Sequence, residues 1–475
     1  MKYKHIHFVG IKGVGMTPLA IIAKEAKIKV TGSDIEDTFI TDAVLKTAGI
    51  SVQKGFSKDH VVNVDLVIFT GAHGGEANVE VVEAKERGIA TTTQGQAVGM
   101  FMKGEILGKS FTGISVAGSH GKTTTTAMIA TILKENKMDP SYVIGTSSVP
   151  SLGASGHFGK GEYFVAEADE YATEPVTDKT AKLFWQHPAY AVITNIDLDH
   201  PDLYPTEEAV SDVFLQWIQS LSEDTLVVVC GDDQKLKNLI PLFEKRVVTY
   251  GFSPTNTYQI TRIHISENQT FFSVEKEGVM LGRFRIGVSG EHNALNATGA
   301  IALLYEAGLS IEQLQKGLTA FSGSKRRSEY IGRLRSGAMV FDDYAHHPTE
   351  IVKTLQAFKK SYPYYKLVCI FQPHTYSRTK KLFEQFKNAF SDATEVILMD
   401  IYASLREEPD PSVSSRLLAA SMQAQHPRVM YLPQALDVIK YIDQKAYPDS
   451  TIVITMGAGD VYKIAEKLIK SKRYG

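Results

Sequence analysis

The sequence lacks most of the features that mark disulfide-built, membrane-embedded or nucleic-acid-binding proteins. It has two cysteines, Cys230 and Cys369, each inside an apolar run typical of a buried strand, so we expect inert core thiols. No apolar run approaches membrane-spanning length, and the first residues contain no apolar signal segment. The formal net charge is only -2, which argues against a general nucleic-acid binder. We expect a cytoplasmic protein with no membrane or nucleic-acid partner.

The rest of the composition is typical of an α/β protein with several domains. The chain has 475 residues, which predicts about three domains. Short Val/Ile-rich runs alternate with amphipathic stretches, as in parallel sheets with crossover helices. We predict a Rossmann-like domain over residues 1–106, a central domain with a mostly parallel sheet over 107–321, and a C-terminal Rossmann-like α/β domain over 322–475. The alternating stretch 258–288 predicts an antiparallel meander within the central domain.

The stretch "VAGSHGKTTTT", residues 116–126, resembles a shortened ATP-binding loop. In the common pattern the first glycine lies six residues before the lysine, but Val116 holds that position here and the glycine is Gly118. A buried strand precedes the turn and a long helix follows it, so backbone N–H groups and the helix N-terminus favour bound phosphate. Lys122 would reach the outer phosphates and Thr123 would bind Mg²⁺. The alternative is a plain strand-to-helix turn.

A second glycine-rich turn, "FVGIKGVGM", lies near the start of the chain. Its glycines, Gly10, Gly13 and Gly15, depart from the dinucleotide spacing, but Asp34 stands where a ribose-binding carboxylate is expected. An NAD-dependent dehydrogenase would use such a turn, although that leaves the central loop unexplained. A tight turn without a ligand and a site for another pyrophosphate compound are the alternatives.

Acidic residues and histidines follow several apolar strands, at the sheet edge where α/β proteins bind ligands. Glu167 suits Mg²⁺, whereas His200 is equally well explained as a hydrogen-bonding or capping histidine. In the third unit, Asp343 suits a ribose hydroxyl, and His347 and His374 are candidate substrate contacts. Four more acidic residues follow the central strands as solvated charges or supporting groups: Asp169, Glu170, Asp197 and Asp199. The basic cluster 325–327 is either a solvated hinge or a contact to nucleotide.

Together these segments resemble the Mur ligase family. The motifs are "GIKGVGM", "GSHGKTTTT", "EADE", "TNIDLDH", "EHNALNA", "RR", "DDYAHHPTE" and "FQPHTYSRT", and they cover nearly the whole chain in the family's order. The resemblance implies a UDP-sugar domain, an ATPase domain and a C-terminal domain on the amino-acid side. It also explains why one chain has two turns for phosphate-bearing molecules.

The likeness is greatest to the branch that joins L-alanine to UDP-N-acetylmuramate in peptidoglycan precursor synthesis. It implies ATP and Mg²⁺ as cofactors, and a substrate carboxylate that attacks the γ-phosphate of ATP. The resulting acyl phosphate is opened by the amine of the amino acid, and ADP and phosphate leave. A carboxylate acylates poorly in water, so it must be activated and shielded while the amine approaches.

The resemblance also implies roles for individual residues. Catalytic roles fall to Lys122, Glu167 and His200, and metal binding to Thr123, Glu167 and His200. Nucleotide contacts fall to Gly118, Ser119, His120, Gly121, Lys122, Thr123, Thr124, Asn293, Asn296, Arg326, Arg327 and Asp343. Substrate contacts fall to Gly10, Gly13, Gly15, Met16, Asp34, His347, His374 and Arg378.

Three segments depart from the alanine-adding pattern. "EADEY" is similar to the branch that attaches a recycled tripeptide to the same UDP sugar, so a tripeptide is the alternative amine donor. "TGAHGG" replaces a Ser-Ala-Ile segment, and "TTTQGQA" lacks an arginine often found there. A non-catalytic nucleotide-binding regulator is disfavoured because Lys122, Thr123, Glu167 and His200 are all present. The oligomeric state and the number of metal ions stay open.

Overall fold

A computed structural model describes residues 2–403, 407–424, 426 and 428–470. The α/β prediction is confirmed: three sheets follow one another along the chain, each with its own helices. In the part of the chain that the structure describes, no helix is long and apolar enough to cross a membrane.

The first sheet is parallel throughout, with strand order β3-β2-β1-β4-β5. Its strands are β1 (His5–Val9), β2 (Lys29–Asp34), β3 (Val52–Lys54), β4 (Leu66–Phe69) and β5 (Ala90–Thr93). Its helices are α1 (Thr17–Glu25), α2 (Asp42–Thr47), α3 (Val79–Glu86) and α4 (Gln94–Met102). The order reverses at β1, so the glycine turn after β1 lies at a topological switch point, where such sheets bind ligands.

The central sheet has ten strands in the order β17-β16-β15-β14-β13-β12-β6-β9-β7-β8. They and the adjoining hairpin are β6 (Thr112–Ala117), β7 (Ser141–Val143), β8 (Gly156–His157), β9 (Tyr163–Ala168), β10 (Ala172–Glu174), β11 (Asp178–Ala181), β12 (Tyr190–Ile193), β13 (Leu226–Cys230), β14 (Arg246–Gly251), β15 (Tyr258–Ser266), β16 (Gln269–Lys276) and β17 (Val279–Ile286). Its helices are α5 (Lys122–Glu135), α6 (Glu207–Ser220), α7 (Gln234–Leu239), α8 (Glu291–Glu306) and α9 (Ile311–Ala320). β15, β16 and β17 pair antiparallel, which confirms the predicted meander.

The third sheet has the order β18-β19-β23-β20-β21-β22, and only β18 runs antiparallel to its neighbour. Its strands are β18 (Glu329–Arg333), β19 (Met339–Asp343), β20 (Lys366–Phe371), β21 (Glu395–Leu398), β22 (Val429–Tyr431) and β23 (Thr451–Met456). Its helices are α10 (Pro348–Ser361), α11 (Tyr376–Lys381), α12 (Phe383–Asn388), α13 (Ser415–Met422), α14 (Ala435–Lys445) and α15 (Tyr462–Lys470).

Near-continuous apolar strands make the sheet interiors, as expected where helices cover both faces. β13 and β20 are buried almost throughout, and they carry the two cysteines. Both thiols are free and buried, as predicted. Burial raises the pKa of Cys230 to about 11, so this thiol stays protonated and unreactive at neutral pH.

In the segment between the central and third sheets, the backbone of one residue bonds to the central unit and the side chain of the next bonds to the third unit. The Lys325 N–H donates to Ser148 O at 3.1 Å, and Lys325 O accepts from the Thr146 hydroxyl at 3.3 Å. The next residue, Arg326, bonds to the third unit through its side chain, and its backbone is left-handed, with φ of 60°. The side chain of Lys325 pairs with Glu329 of the third unit, so this residue bonds to both units, and a hinge here stays a prediction.

Candidate active site

The turn between β6 and α5 is built for close approach of backbone to ligand. Gly118 and Gly121 have φ of 122° and 88°, a region that L side chains rarely adopt. A Cβ at Gly118 would clash with Thr194 Oγ1, and one at Gly121 would lie 2.6 Å from Asn296 Oδ1. Any side chain at these two positions would therefore collide with neighbouring polar groups.

Residues just after β12 hold this turn from beneath. Asn195 Oδ1 accepts from the His120 N–H at 2.9 Å, and Asn195 Nδ2 donates to His120 O at 2.8 Å. Thr194 Oγ1 donates to the same carbonyl at 2.6 Å. Ser119 Oγ donates to Asp197 O at 2.9 Å and accepts from the Asp197 N–H at 2.8 Å. Ser119 and His120 are therefore fixed by structural bonds, which leaves the α5 N-terminus as the surface for phosphate.

Lys122 begins α5 and lies against acidic neighbours. Its Nζ donates to Gly118 O at 2.6 Å and to Glu170 Oε2 at 2.8 Å, and it lies 3.8 Å from Asp169 Oδ1. Burial alone would lower the pKa of Lys122, but the charges of Glu170 and Asp169 outweigh it and hold the pKa above its usual value. Lys122 is therefore a permanently charged amine at the mouth of the loop.

Thr123 and Glu167 lie together, as the metal-site prediction requires. The Thr123 hydroxyl donates to Glu167 Oε2 at 3.0 Å, and the Gly145 N–H donates to Glu167 Oε1 at 2.5 Å. Burial raises the pKa of Glu167. A cation would offset that cost, and a hydroxyl beside a buried carboxylate is the oxygen set that Mg²⁺ prefers. The donor set therefore fits magnesium.

His200 belongs to a neighbouring acidic cluster and makes no direct pair with Glu167. Its Nε2 lies 3.8 Å from Glu170 Oε1 and 3.7 Å from Asp199 Oδ2. One ligand atom from each of Asp169, Glu170 and His200 lies within 4.8 Å of the others, close enough to share a cation. A metal-binding role for His200 stays a prediction.

A cleft opens beside the loop, lined by residues of both the central and the third units. The lining includes Gly121, Thr124, Asn293, Asn296, Arg327 and Asp343, all predicted nucleotide contacts. Asp343 Oδ2 accepts from the Ser328 N–H at 2.7 Å and Oδ1 accepts from the Ala345 N–H at 2.8 Å, so its carboxylate is fixed at the wall.

The two arginines after the hinge have different roles. The Arg326 guanidinium is buried and donates to Asp342 Oδ2 at 3.0 Å, to Gly457 O at 2.6 Å and to Gly459 O at 3.2 Å. These bonds tie it to the third sheet. Arg327 lines the cleft, with Nη1 3.5 Å from Glu350 Oε1. Of the two predicted nucleotide contacts, the geometry favours Arg327.

The residues predicted to face the amino acid lie where the third unit contacts the central unit. Arg378, at the start of α11, donates through Nε and Nη2 to Asp199 O at 3.1 and 2.9 Å. His374 Nδ1 lies 3.2 Å from Arg378 Nη1, and its ring stacks on Tyr402 at 5.8 Å between centroids. His347 is 1% exposed, and its Nδ1 accepts from the Thr349 N–H at the start of α10. Contact of these residues with an amino acid stays a prediction.

Glu350 is a functional candidate that the sequence reasoning missed. Its side chain is 11% exposed, and its Oε1 lies 3.4 Å from His120 Nδ1 and 3.5 Å from Arg327 Nη1. It also caps α10 reciprocally with His347. Its position three residues after a histidine in "HHPTE" was the only available signal. Glu350 joins the phosphate loop to the third unit.

This junction predicts a pH effect on stability. Burial alone would lower the pKa of His120, but Asp197 and Glu350 outweigh it and raise the pKa to about 9. Because the folded-state value exceeds the ordinary 6.5, the contribution is fully present below pH about 6.5 and is lost as pH rises through about 9. We expect the difference in unfolding midpoint between wild type and His120→Gln to shrink across this window. A difference that is constant from pH 6 to 10 would contradict the assignment.

At the first glycine turn, the structure brings Asp34 against the loop. Asp34 Oδ2 accepts from the Lys12 N–H at 2.8 Å, and the Gly10 N–H donates to Ser33 O at 2.9 Å. The Gly13 carbonyl accepts from the N–H of Met16 at 2.9 Å. The Gly15 carbonyl accepts from the side-chain amide Nε2 of Gln94 at 3.3 Å. Met16 as a whole is 1% exposed and packs in the first core, so its contact with substrate stays a prediction.

Three family models match the chain in order. The Mur ligase family catalytic domain matches residues 5–105, the Mur ligase middle domain matches residues 116–304, and the Mur ligase glutamate ligase domain matches residues 326–459.

Curated relatives of similar length share more than a third of the residues. The UDP-N-acetylmuramate--L-alanine ligase of Desulfitobacterium hafniense is 37% identical, covering 98% of this chain and 99% of its own. The protein of the same name from Desulforamulus reducens is 39% identical, covering 99% and 98%.

Two solved structures resemble the chain over nearly their full length. A UDP-N-acetylmuramate-alanine ligase from Thermotoga maritima has a TM-score of 0.82 at 28% identity, covering 99% of both chains. A murein peptide ligase from Psychrobacter arcticus has a TM-score of 0.70 at 26% identity, covering 98% of both. The backbone is thus more similar to that alanine ligase than to that peptide ligase.

Proposed function

Because the chain belongs to the Mur ligase family, we propose that it is an ATP-dependent ligase that joins L-alanine to UDP-N-acetylmuramate. One observation carries the proposal. Lys122 and Thr123 begin α5 and Thr123 bonds to Glu167 near the end of β9, in a chain whose full length matches curated alanine ligases. The proposal includes domain boundaries near residues 106 and 321.

In this proposal the first step forms an acyl phosphate. A carboxylate oxygen of the sugar acid attacks the γ-phosphorus of ATP, the bond to the β-phosphate oxygen breaks, and ADP leaves. Lys122 offers a fixed positive charge to the transferring phosphoryl group, because Glu170 and Asp169 keep its amine protonated. Thr123 and Glu167 would hold Mg²⁺, which neutralises phosphate charge when bound.

The second step forms the amide. The amine of L-alanine attacks the acyl carbon, loses a proton, and the bond from that carbon to the phosphate oxygen breaks. The intermediate reacts with water unless the site is closed, so contacts between the central and third units exclude solvent while the amine approaches. Arg378 and Glu350 supply such contacts, to Asp199 and to His120.

The nucleotide base and ribose are assigned to the cleft beside the loop. Asn293 and Asn296 of α8 line it on the central side, and Asp343 lines it on the other. The buried amides can pair with the base edge, and the fixed carboxylate can accept from ribose hydroxyls. Arg327 is placed for the phosphates because it lines the same cleft near the loop. The proposal also includes nucleotide contact by Arg326, metal binding by His200, and substrate contact by His347 and His374.

An amine-competition assay tests the function. We expect ADP release to require both UDP-N-acetylmuramate and L-alanine, and to be at least about tenfold faster in kcat/KM with L-alanine than with a tripeptide. The tripeptide is the fair competitor because "EADEY" is similar to the peptide-adding branch. A preference for the tripeptide would replace the alanine assignment within the same chemistry. No turnover with any amine would overturn the ligase proposal.

A further inference from the structure

His73 has an unusual backbone for a residue with a side chain. It lies in the loop after β4, in the segment "TGAHGG" that departs from the alanine-adding pattern. Its φ is 56°, in the left-handed region, and Gly74 follows with φ of 88°. Glycine would adopt this conformation without strain, whereas histidine adopts it less often and adds a ring whose contacts are specific.

The His73 ring lies at the first glycine turn. Its Nε2 is 3.4 Å from Asp34 Oδ1, and a Cβ at Gly10 would lie 3.4 Å from its Cδ2 atom. The Phe56 ring is 5.3 Å away between centroids. Only 10% of the His73 side chain and 1% of the Asp34 side chain are exposed. One imidazole therefore contacts the carboxylate and the turn that the ligand proposal places beside a nucleoside diphosphate.

Contacts from the central unit fix the loop that carries His73. A Cβ at Gly71 would lie 2.6 Å from Pro175 Cδ, and one at Gly75 would clash with Glu174 Oε1. Both partners follow or end β10, in the hairpin after "EADEY". Asn78 Nδ2 also donates to His73 O at 2.9 Å. The loop that carries His73 thus packs on the hairpin that follows "EADEY", and the position of the imidazole depends on this contact.

We propose that His73 is a positioning residue for the uridine diphosphate part of the sugar substrate. It holds the Asp34 carboxylate in the orientation that accepts from a ribose hydroxyl, and it adds a ring N–H beside the anionic diphosphate. Asp34 Oδ2 accepts from the Lys12 N–H and Oδ1 accepts from the Ile35 N–H, each at 2.8 Å, so His73 adds a third contact to this buried carboxylate. The inference rests on the proposed function.

The experiment measures binding of uridine diphosphate alone by calorimetry, and then the kinetics of ADP release. His73→Gly removes the ring but suits a left-handed φ, so lost binding cannot come from backbone strain. His73→Asn is the conservative variant, because asparagine also tolerates this conformation and keeps a donor. His264→Asn is the matched control, since His264 is exposed on β15.

We expect His73→Gly to bind uridine diphosphate about tenfold more weakly and to raise KM for the UDP sugar equally, with kcat and KM for ATP little changed. His73→Asn should recover part of the loss. Equal binding by wild type and His73→Gly overturns the inference but leaves the ligase proposal intact. The inference is also overturned if His73→Gly lowers kcat and changes KM for ATP as much as KM for the UDP sugar, and His73→Asn restores none of these values. The ligase proposal itself fails on a different result, absence of ADP release with UDP-N-acetylmuramate and L-alanine in the wild type.

Discussion

Replacing Lys122 by methionine is expected to lower turnover by at least about a thousandfold, equivalent to about 4 kcal/mol of lost transition-state stabilisation. The reason is that Lys122 is the buried permanent charge at the loop, and methionine keeps its length but not its amine. The measurement is ADP release at saturating substrates. Near-normal kcat in Lys122→Met would remove the mechanism.

Two controls separate this effect from misfolding. Lys122→Met leaves Glu170 as a buried charge without its amine partner, which is itself destabilising. The double variant Lys122→Met, Glu170→Gln removes both charges, so it should recover thermal stability while staying inactive. Lys134→Met, at the other end of α5, should keep activity because Lys134 bonds only to the carbonyls of Ser151 and Leu152.

Replacing Arg378 by methionine is expected to lower kcat/KM by about a hundredfold or more. Burial would raise the pKa of Asp199, but the charge of Arg378, followed by that of His200, holds it well below its usual range. Without the guanidinium, a buried carboxylate loses its main partner, which costs about 3–5 kcal/mol if the contact stays closed. The protein can avoid that cost by separating the central and third units, which opens the site.

Steady-state kinetics and small-angle scattering test this second expectation together. A larger radius of gyration in Arg378→Met, together with the loss of activity, would support a role for this contact in holding the two units together. Arg285→Met is the matched control, because Arg285 is exposed on β17, away from the cleft. An Arg378→Met protein with unchanged dimensions and unchanged kcat/KM would show that the bond to Asp199 has no role in catalysis.

The architecture was accessible from the sequence because it depends on periodicity. Apolar strands alternating with helices predicted three parallel-rich sheets, and a change to alternating polarity predicted the meander β15 to β17. The neighbourhood of Lys122, Thr123 and Glu167 was accessible for a similar reason. β6 and β9 pair in parallel, so the residues at their carboxyl ends meet at one edge of the sheet.

Other parts of the site depend on rotations that local sequence does not encode. Arg326 and Arg327 are adjacent in a turn before β18, yet Arg326 bonds to the third sheet and Arg327 lines the cleft, and no periodicity distinguishes them. His347 is the N-cap of α10 and lies beside His120 at 4.9 Å between ring centroids, and its contact with substrate stays a prediction. Glu350 and His73 could be recognised only from the fold, because their partners His120 and Asp34 are distant in sequence.

The change of attachment between Lys325 and Arg326 sets how far each group travels when the units rotate. A point on a rotation axis hardly translates, whereas a point far from it sweeps a long arc. Arg327 is one residue after this segment, whereas Arg378 lies in α11, within the third unit. A rotation about the segment would therefore move Arg327 little and would carry Arg378 away from Asp199.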